Sequence, residues 1–421
     1  MAFPQVIIIG GGAAGFFGAI AAAETNPNLR VILLEAGPEV LTKVRISGGG
    51  RCNVTHACFD PAALVQHYPR GSRALISPFS RFQPGDTIAW FEDRGVSLKT
   101  EADGRLFPVT DDSATIVHCL QKAAQQAGVE IRTRCPVIQV RNLPVQNLPG
   151  RELSEFELTL KNGLALRCDR LLLASGSSPL GHRIATHLGH TIAPIAPSLF
   201  TFNIADSALK TLAGVSVPNA QLKLLANGIK FNQSGPLLIT HWGLSGPAVL
   251  KLSAWAAREL KHCNYRAQLW VNWLPELSGE QVRDRLTAGR SQAPRKQLSN
   301  HRPLPLPQRL WDYLLAHTAI DPATRWSELS KSALHRLSQA IHQGEYAITG
   351  KGVFKDEFVT CGGINLNEVN FKTLESRIAP GLYFAGEVLD IDGVTGGFNF
   401  QNAWTTSYLA GQSMAKGLLN A

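Results

Sequence analysis

The stretch QVIIIGGGAAG, residues 5–15, decides the fold of this chain. It opens with an apolar, β-branched run, which is typical of a strand buried on both faces of a parallel sheet. The run enters a GxGxxG pattern at Gly10, Gly12 and Gly15, and the small apolar residues of 16–24 then predict a helix. The sequence therefore predicts a strand, a tight turn and a helix in direct succession.

This strand–turn–helix unit predicts a binding site for a dinucleotide. Gly10 permits a tight turn, Gly12 lets the backbone approach a pyrophosphate, and Gly15 lets helix and strand pack closely. The helix N-terminus presents N–H groups and partial positive charge to that pyrophosphate. A second apolar run, LRVILLE (29–35), predicts a strand that ends at Glu35. Its carboxylate would accept hydrogen bonds from the adenosine ribose, and it disfavours the 2′-phosphate of NADP.

A second glycine stretch, RISGGGRCN (45–53), indicates a cofactor longer than a nicotinamide dinucleotide. Glycines let main-chain N–H groups come close to a ligand where side chains would obstruct it. We expect this stretch to line the ribityl chain and ring of a flavin, with Arg45 and Arg51 adding positive charge. A flexible surface loop is the alternative, because glycine runs are also common in linkers.

Six blocks in chain order carry a resemblance to a known family: ISGGGRCNVT (46–55), TEADGRLFPVTDDSATIV (100–117), LLLASGSSPLG (171–181), LLITHWGLSGPAVLKLS (237–253), FVTCGGI (358–364) and GLYFAGEVLDIDGVTGGFNFQNAW (381–404). With these blocks the chain resembles the aminoacetone-oxidase-like, BaiN-type flavoproteins of the glutathione-reductase-like FAD superfamily. Ser175 stands where the superfamily more often has threonine, and it keeps the hydroxyl group. The resemblance implies FAD as the cofactor.

The expected FAD contacts combine the residues argued above with those that the resemblance implies. They are Gly10, Gly12, Ala14, Gly15, Glu35, Ala36, Arg45, Ser47, Gly48, Gly49, Gly50, Arg51, Cys52, Asn53, Val137, Ala174, Ser175, Gly176, Gly386, Glu387, Gly397, Phe398, Asn399, Phe400 and Gln401. The residues themselves support the last group, because GLYFAGE (381–387) is an apolar strand that delivers a Gly-Glu pair. The glycines after it open a final helix, whose N-terminus suits an electron-rich flavin edge.

The predicted fold is α/β: a Rossmann-like FAD-binding domain of the glutathione-reductase type, with an inserted antiparallel β-domain and a small helical domain. The FAD-binding pieces lie at both ends of the chain, so the middle must be inserted. Short apolar runs with closely spaced turns, such as 215–231 and 265–275, predict an antiparallel sheet or barrel. The expected ranges are 1–193 (FAD-binding, first part), 194–277 (β-barrel-like), 278–345 (helical) and 346–421 (FAD-binding, closing part).

Composition indicates a cytoplasmic globular protein. The seven cysteines are scattered without a CxxC pair, which does not suggest a disulfide framework. The apolar stretch 6–23 is read as strand, turn and helix rather than as a signal peptide or membrane anchor. The net charge is +9, and the segment 280–342 has ten Lys/Arg against five Asp/Glu. Such a segment is either a solvated helical surface or a site for an anionic partner.

The candidates for catalysis are His241 and Cys52. His241 lies in the THWGLSGP block of the resemblance, and histidine titrates near neutral pH, as a general acid or base requires. Cys52 and Cys58 are one residue further apart than the redox pair of disulfide oxidoreductases, and buried thiols are the alternative reading. No metal site is predicted. No second GxGxxG follows a strand, so NADH or NADPH would dock transiently, or the substrate itself would reduce the flavin.

These observations predict an FAD-dependent oxidoreductase that acts on a small organic substrate, by oxidising an amine or by reducing an activated double bond. The resemblance covers both reactions. The alternative is a nucleic-acid-associated flavoprotein whose basic segment 280–342 binds RNA, although no RNA-recognition motif supports it. A flavin-binding sensor would need an output module, and the sequence offers none. No membrane or protein partner is expected.

Overall fold

The computed structural model describes residues 4–143, 155–352 and 359–419. The chain divides into two compact units. Residues 1–195 and 359–421 form the first, here called the end unit. Residues 196–358 form the second, here called the inserted unit.

The helices, in chain order, are α1 (Ala13–Thr25), α2 (Thr42–Gly50), α3 (Pro61–Leu64), α4 (Ser72–Phe79), α5 (Pro84–Glu92), α6 (Ser113–Gln126), α7 (Pro179–His187), α8 (Ser207–Lys210), α9 (Pro247–Trp255), α10 (Ala257–His262), α11 (Gly279–Gln292), α12 (Gln308–His317), α13 (Lys331–Gln343) and α14 (Phe398–Lys416). The strands are β1 (Gln5–Ile9), β2 (Arg30–Leu34), β3 (Thr55–His56), β4 (Leu98–Thr100), β5 (Arg105–Pro108), β6 (Glu130–Arg132), β7 (Val137–Leu143), β8 (Glu155–Leu160), β9 (Ala165–Cys168), β10 (Arg170–Leu173), β11 (Ile192–Ser198), β12 (Phe202–Ile204), β13 (Ser216–Ala226), β14 (Ile229–Thr240), β15 (Gly243–Ser245), β16 (Ala267–Asn272), β17 (Gly344–Lys351), β18 (Val359–Ile364), β19 (Val369–Asn370), β20 (Glu375–Ser376) and β21 (Leu382–Phe384).

A seven-stranded sheet organises the end unit, in the order β19-β20-β21-β10-β1-β2-β6. The five strands from β21 to β6 are parallel, and β1 lies between β10 and β2. The apolar run of β1 is buried because neighbours cover both its edges and both its faces. This arrangement confirms the predicted Rossmann-like α/β fold.

Helix α1 crosses from β1 to β2 and packs against the final helix α14. The close approach needs glycine, because a Cβ added at Gly411 of α14 would lie 2.4 Å from the carbonyl oxygen of Gly18 on α1. The two ends of the chain thus meet within one core, as the predicted split of the FAD-binding domain requires.

The inserted unit contains a closed barrel of the strands β12-β15-β14-β13-β16-β17. Along β13 the side chains of Leu222, Leu224 and Ala226 are buried and alternate with more exposed residues, as in a strand with one face on a core. The antiparallel pairing of β13 with β14 and β16 confirms the predicted inserted β-domain.

Two predicted boundaries need correction. We expected the FAD-binding domain to resume at residue 346, but β17 pairs with β16 and β12 and completes the barrel, so β17 belongs to the inserted unit. Tyr346 and Ile348 alternate into the barrel core. The helical segment 278–345 does not separate from the barrel either, since its buried side chains join those of the barrel in one apolar cluster. No helix in the described parts of the chain has the length and apolarity to cross a membrane.

Candidate functional site

Four groups of the predicted FAD contacts lie at one edge of the parallel sheet. The four neighbouring strands β2, β1, β10 and β21 are parallel, so their carboxyl ends lie at the same edge. The residues that follow these ends are Glu35, Gly10 to Gly15, Ala174 to Gly176 and Gly386 with Glu387. Ligands of open α/β sheets bind outside the carboxyl ends of the strands, so this edge is the candidate site.

The first glycine turn has the geometry that its sequence predicts. Gly10 has φ +115°, and a Cβ there would lie 2.4 Å from the carbonyl oxygen of Ala174. A Cβ at Gly15 would lie 1.8 Å from the carbonyl oxygen of Gly10, so strand and helix could not pack as they do. At Gly12, by contrast, a Cβ would meet nothing within 4 Å. Gly12 is also the N-cap of α1, and no side chain caps that helix. The turn therefore leaves space in front of a helix N-terminus, which fits a pyrophosphate.

Glu35 is held in a fixed position next to this turn. Its Oε2 accepts a hydrogen bond from the Gly11 N–H at 2.8 Å, and its Oε1 accepts one from the Gly37 N–H at 2.6 Å. The carboxylate is half-buried, and Ala36 beside it is exposed. Each carboxylate oxygen has a second lone pair, so Glu35 can also accept from ribose hydroxyls.

The second glycine stretch is an interrupted helix. Ser47 is extended (ψ 152°), and Gly48, Gly49 and Gly50 follow with φ of 58°, 69° and 84°. Cys52 is also left-handed at φ 60°. A Cβ at Gly49 or at Gly50 would meet nothing within 4 Å. Three successive left-handed residues require glycine, and two of them border open space, which fits the predicted approach of a flavin.

The two predicted basic residues of this stretch differ. Arg45 is exposed. The Arg51 guanidinium donates to Glu101 at 2.6 Å and to Asp111 at 3.4 Å, and it lies over the Phe107 ring at 4.0 Å. These carboxylates, first of all Glu101, raise the pKa of Arg51. Its charge is already neutralised locally, so we expect the backbone of Arg51 rather than its guanidinium to face the cofactor.

Contacts from the second glycine stretch fix the start of α14. In the orientation of the Asn53 amide in which both its oxygen and its nitrogen form hydrogen bonds, the oxygen accepts from the Gly397 N–H at 2.9 Å. The Thr55 hydroxyl donates to the buried Gln401 Oε1 at 2.5 Å. Gly397 has φ +93°, and a Cβ there would lie 2.5 Å from the Thr55 carbonyl oxygen. Two predicted groups, 47–53 and 397–401, are thus brought together.

The remaining residues at the start of α14 are engaged within the end unit. Asn399 accepts from the Gly393 N–H at 2.8 Å and donates to the Gly393 carbonyl at 2.9 Å. Phe400 stacks on Trp404, with ring centroids 5.6 Å apart. No side chain caps α14, so its first N–H groups are available to an acceptor.

Residues after β10 and β21 complete the edge. Glu387 accepts from the Thr360 N–H at 2.8 Å and pairs with Lys43 at 2.9 Å. Gly176 has φ +58°, and a Cβ there would lie 3.5 Å from the Glu387 Oε2. The Ser175 hydroxyl is buried and has no hydrogen-bond partner. Val137 begins β7 and is buried. An unpartnered buried hydroxyl beside open glycine backbone fits a polar cofactor along this edge.

The two predicted catalytic residues lie in different environments. His241 is exposed between β14 and β15 of the inserted unit, with its ring centroid 6.4 Å from that of Trp242. Cys52 is fully buried, and burial raises the pKa of its thiol to about 12. Cys58 is half-buried with a raised pKa, and both cysteines are free. Cys52 is therefore a neutral thiol near pH 7.

A cluster of three rings beside the start of α14 was not predicted from the sequence. The Phe398 ring stacks on both imidazoles, with its centroid 4.6 Å from that of His56 and 4.2 Å from that of His67, and the two imidazole centroids are 6.0 Å apart. The His56 Nδ1 is 3.0 Å from the Gly396 carbonyl oxygen, and the Tyr68 hydroxyl donates to the Phe398 carbonyl at 2.6 Å. The only available signal was the histidine that directly follows the ISGGGRCNVT block.

The fold and the family are those of an FAD-dependent oxidoreductase. A family model described as the HI0933-like protein Rossmann domain matches residues 4–413, and the chain belongs to that HI0933-like family. This family includes a BaiN-type relative, which confirms the predicted resemblance.

Two curated relatives align with nearly the whole chain. A ribosomal RNA dihydrouridine synthase of Escherichia coli is 32% identical over 423 residues, covering 97% of this chain and 98% of the relative. A 3-dehydro-bile acid Δ4,6-reductase of Clostridium scindens is 30% identical over 421 residues, covering 98% and 99%.

Solved structures share the fold at low sequence identity. The open conformation of a flavocytochrome c3 fumarate reductase has a TM-score of 0.50 and 16% identity, covering 99% of this chain and 78% of its own. A 3-ketosteroid-Δ4-(5α)-dehydrogenase from Rhodococcus jostii RHA1 has a TM-score of 0.50 and 15% identity, covering 98% and 97%.

Proposed function

We propose that the protein uses FAD to reduce a carbon–carbon double bond conjugated to a carbonyl group. The names of both curated relatives indicate the same type of bond, and the proposal rests on this shared bond type. Dihydrouridine is uridine with its conjugated ring double bond saturated, and a 3-dehydro-bile acid Δ4,6-reductase saturates bonds conjugated to a 3-keto group. Both relatives align with almost the entire chain, which supports the same reaction here. Of the two predicted reactions, we therefore favour reduction over the oxidation of an amine.

The residues at the sheet edge would hold the cofactor. In this proposal Glu35 would bind the adenosine ribose, and the backbone around Gly12 would bind the pyrophosphate. The bare backbone at Gly49 and Gly50 and the N-terminus of α14 would help to hold the flavin. Once reduced, bound FAD would supply a hydride to one carbon of the double bond, and the other carbon would take up a proton.

The reaction also needs a proton donor and a source of electrons. His241 keeps the role of proton donor, because its imidazole is exposed and histidine is the side chain that most often serves as a general acid. Cys52 does not suit that role, because its thiol is fully buried and its pKa is about 12. We propose NADH or NADPH as the reductant that restores two electrons to the enzyme, docking transiently.

An anaerobic titration of the holoenzyme tests the reaction. NADH or NADPH should bleach the visible flavin band, and a conjugated enone added afterwards should restore it with one saturated product per FAD. Candidate amines should leave the oxidised enzyme unbleached. Bleaching by an amine, together with no recovery by any enone, would contradict the proposal. His241→Ala should slow the recovery but not the bleaching, whereas His262→Ala, another exposed histidine of the inserted unit, should change neither.

The charge of the chain favours a second candidate substrate, a uracil base within RNA. The segment 280–342 carries ten Lys/Arg against five Asp/Glu, an excess that a small neutral substrate does not require. If RNA is the substrate, the reduced holoenzyme should be reoxidised by a uridine-containing RNA fragment and not by free uridine. Equal rates with both would favour the small-molecule substrate.

A further inference from the structure

The positive charge of the chain is concentrated in the inserted unit. Residues 196–358 contain 19 Lys/Arg and 11 Asp/Glu, a net charge of +8, whereas the whole chain has +9. The end unit is thus nearly neutral although it is the larger of the two. A charge carried by one unit creates a local field that attracts anions.

The segment 280–342 of the inserted unit differs from the end unit in how its cations are paired. Several arginines of the end unit form ion pairs with carboxylates, among them Arg30, Arg51, Arg70, Arg94, Arg105, Arg132 and Arg167. Within the described residues of the segment 280–342, none of the ten Lys/Arg forms an ion pair. The charges of these side chains are therefore not neutralised by ion pairs among the described residues of the segment.

Main-chain pairing brings four of these cations together. After α11 ends, the chain pairs with the segment that follows Asp321: Gln297 bridges to Arg325, and the Trp326 N–H donates to the Lys296 carbonyl at 3.0 Å. The Trp326 ring packs on Gly289, where a Cβ would lie 3.0 to 3.1 Å from ring atoms, so the last turn of α11 lies against the same segment.

The cations on these three pieces are Arg290, Arg295, Lys296 and Arg325, here called the four-cation cluster. Arg295, Lys296 and Arg325 are exposed, and Arg290 is half-buried near the end of α11. The Glu328 carboxylate, three residues after Arg325, accepts from a main-chain group: its Oε2 is 3.3 Å from the Arg325 N. The guanidinium and ammonium groups therefore remain available to an external anion.

We propose that the four-cation cluster binds the phosphate backbone of an RNA. This inference rests on the second candidate of the proposed function, a uracil within RNA. Guanidinium groups bind phosphate oxygens in a bidentate manner, and several cations at short sequence spacing suit a chain of phosphates better than a single small anion. The cluster would fix the RNA on the protein and would carry no base specificity.

Salt-dependent RNA binding tests the cluster. The holoenzyme and the variant R290Q/R295Q/K296Q/R325Q are titrated with a fluorescent, uridine-containing single-stranded RNA at several KCl concentrations, and binding is followed by anisotropy. Each lost phosphate contact lowers the slope of log affinity against log salt by about 0.7 for single strands. Loss of four contacts should therefore reduce the slope by roughly 3 and weaken binding at least tenfold at low salt.

A matched variant removes the same charge from the end unit: R30Q/R94Q/K99Q/R167Q, at positions that are ion-paired and outside the candidate site. FAD content and thermal midpoint show that both variants are folded. The control should keep the wild-type slope. An unchanged slope in the cluster variant, or an equal loss in the control, would overturn the proposal.

The same material separates this inference from the proposed reaction. Reduction of a free enone by a holoenzyme that binds no RNA would overturn the cluster and leave the reaction standing. RNA binding that depends on the cluster, in an enzyme that reduces no conjugated bond, would support the cluster and contradict the reaction.

Discussion

Replacing Gly12 by alanine should separate folding from cofactor binding. Gly12 has φ −89° and ψ −168°, a conformation that alanine adopts without strain, and its Cβ would meet nothing within 4 Å. The apoprotein should therefore be at least as stable as the wild type. Alanine restricts the unfolded chain more than glycine does, which adds about 0.4–1 kcal/mol where the folded conformation accepts it.

The same methyl group should impair FAD binding, because it would occupy open space at the N-cap of α1, where we propose that the pyrophosphate binds. Loss of one hydrogen bond to a charged group costs about 1.5–3 kcal/mol. That range corresponds to an affinity roughly 10- to 150-fold weaker. Stability and affinity should therefore change in opposite directions, because FAD binding needs a residue without a side chain at position 12 and folding does not.

Two measurements on apoprotein test this contrast: thermal unfolding by circular dichroism, and FAD titration by the quenching of flavin fluorescence. Gly15→Ala is the matched control. Its Cβ would lie 1.8 Å from the Gly10 carbonyl oxygen, so this variant should lose stability as well as binding. Wild-type FAD affinity in a normally folded Gly12→Ala protein would refute the assignment of the pyrophosphate to this turn.

Three further predictions concern the surroundings of the site. Gly49→Ala should weaken FAD binding, and it should also lower the free energy of unfolding in urea by about 1–2 kcal/mol. The Cβ has space, but φ +69° is unfavourable for alanine. An unchanged urea midpoint would contradict this prediction. Arg70→Met should destabilise the protein by about 3–5 kcal/mol, because the Arg70 Nε donates to the fully buried Asp392 carboxylate at 2.5 Å and the variant removes this guanidinium. The double variant Arg70→Met/Asp392→Leu should lose less stability in the same urea assay. Cys52 should resist alkylation at pH 8 in the native protein and react after unfolding. Because burial raises the pKa of Cys52, its neutral thiol contributes to the free energy of unfolding. This contribution is complete below pH 9.0 and is lost as the pH rises towards about 12. Cys52→Ala should abolish this pH dependence of the free energy of unfolding.

Local patterns in the sequence predicted the first glycine turn because its constraints are local. A tight turn, a bare N-cap and a close helix–strand contact each need glycine at one position, and Gly10, Gly12 and Gly15 occupy those positions with these geometries. The strand ends were equally accessible, since apolar runs mark the buried strands of a parallel sheet. The convergence of their carboxyl ends then follows from the fold class.

Other features depend on partners far away in the sequence. The neutralisation of Arg51 requires Glu101 and Asp111, and nothing near Arg51 announces them. The ring cluster around Phe398 joins residues more than 300 positions apart. The last barrel strand, β17, was assigned to the FAD-binding domain although its burial alternates as in a strand with one face on a core, and its pairing with β16 places it in the barrel.

The most direct test of the account is the anaerobic reoxidation of the FAD-reduced protein by a conjugated substrate. The account predicts purified protein that carries FAD, loses its visible flavin band on reduction, and regains it with one saturated double bond per FAD. Protein that takes up no FAD when it is supplied, or whose reduced flavin is reoxidised by oxygen but by no conjugated enone or uridine-containing RNA, would contradict it.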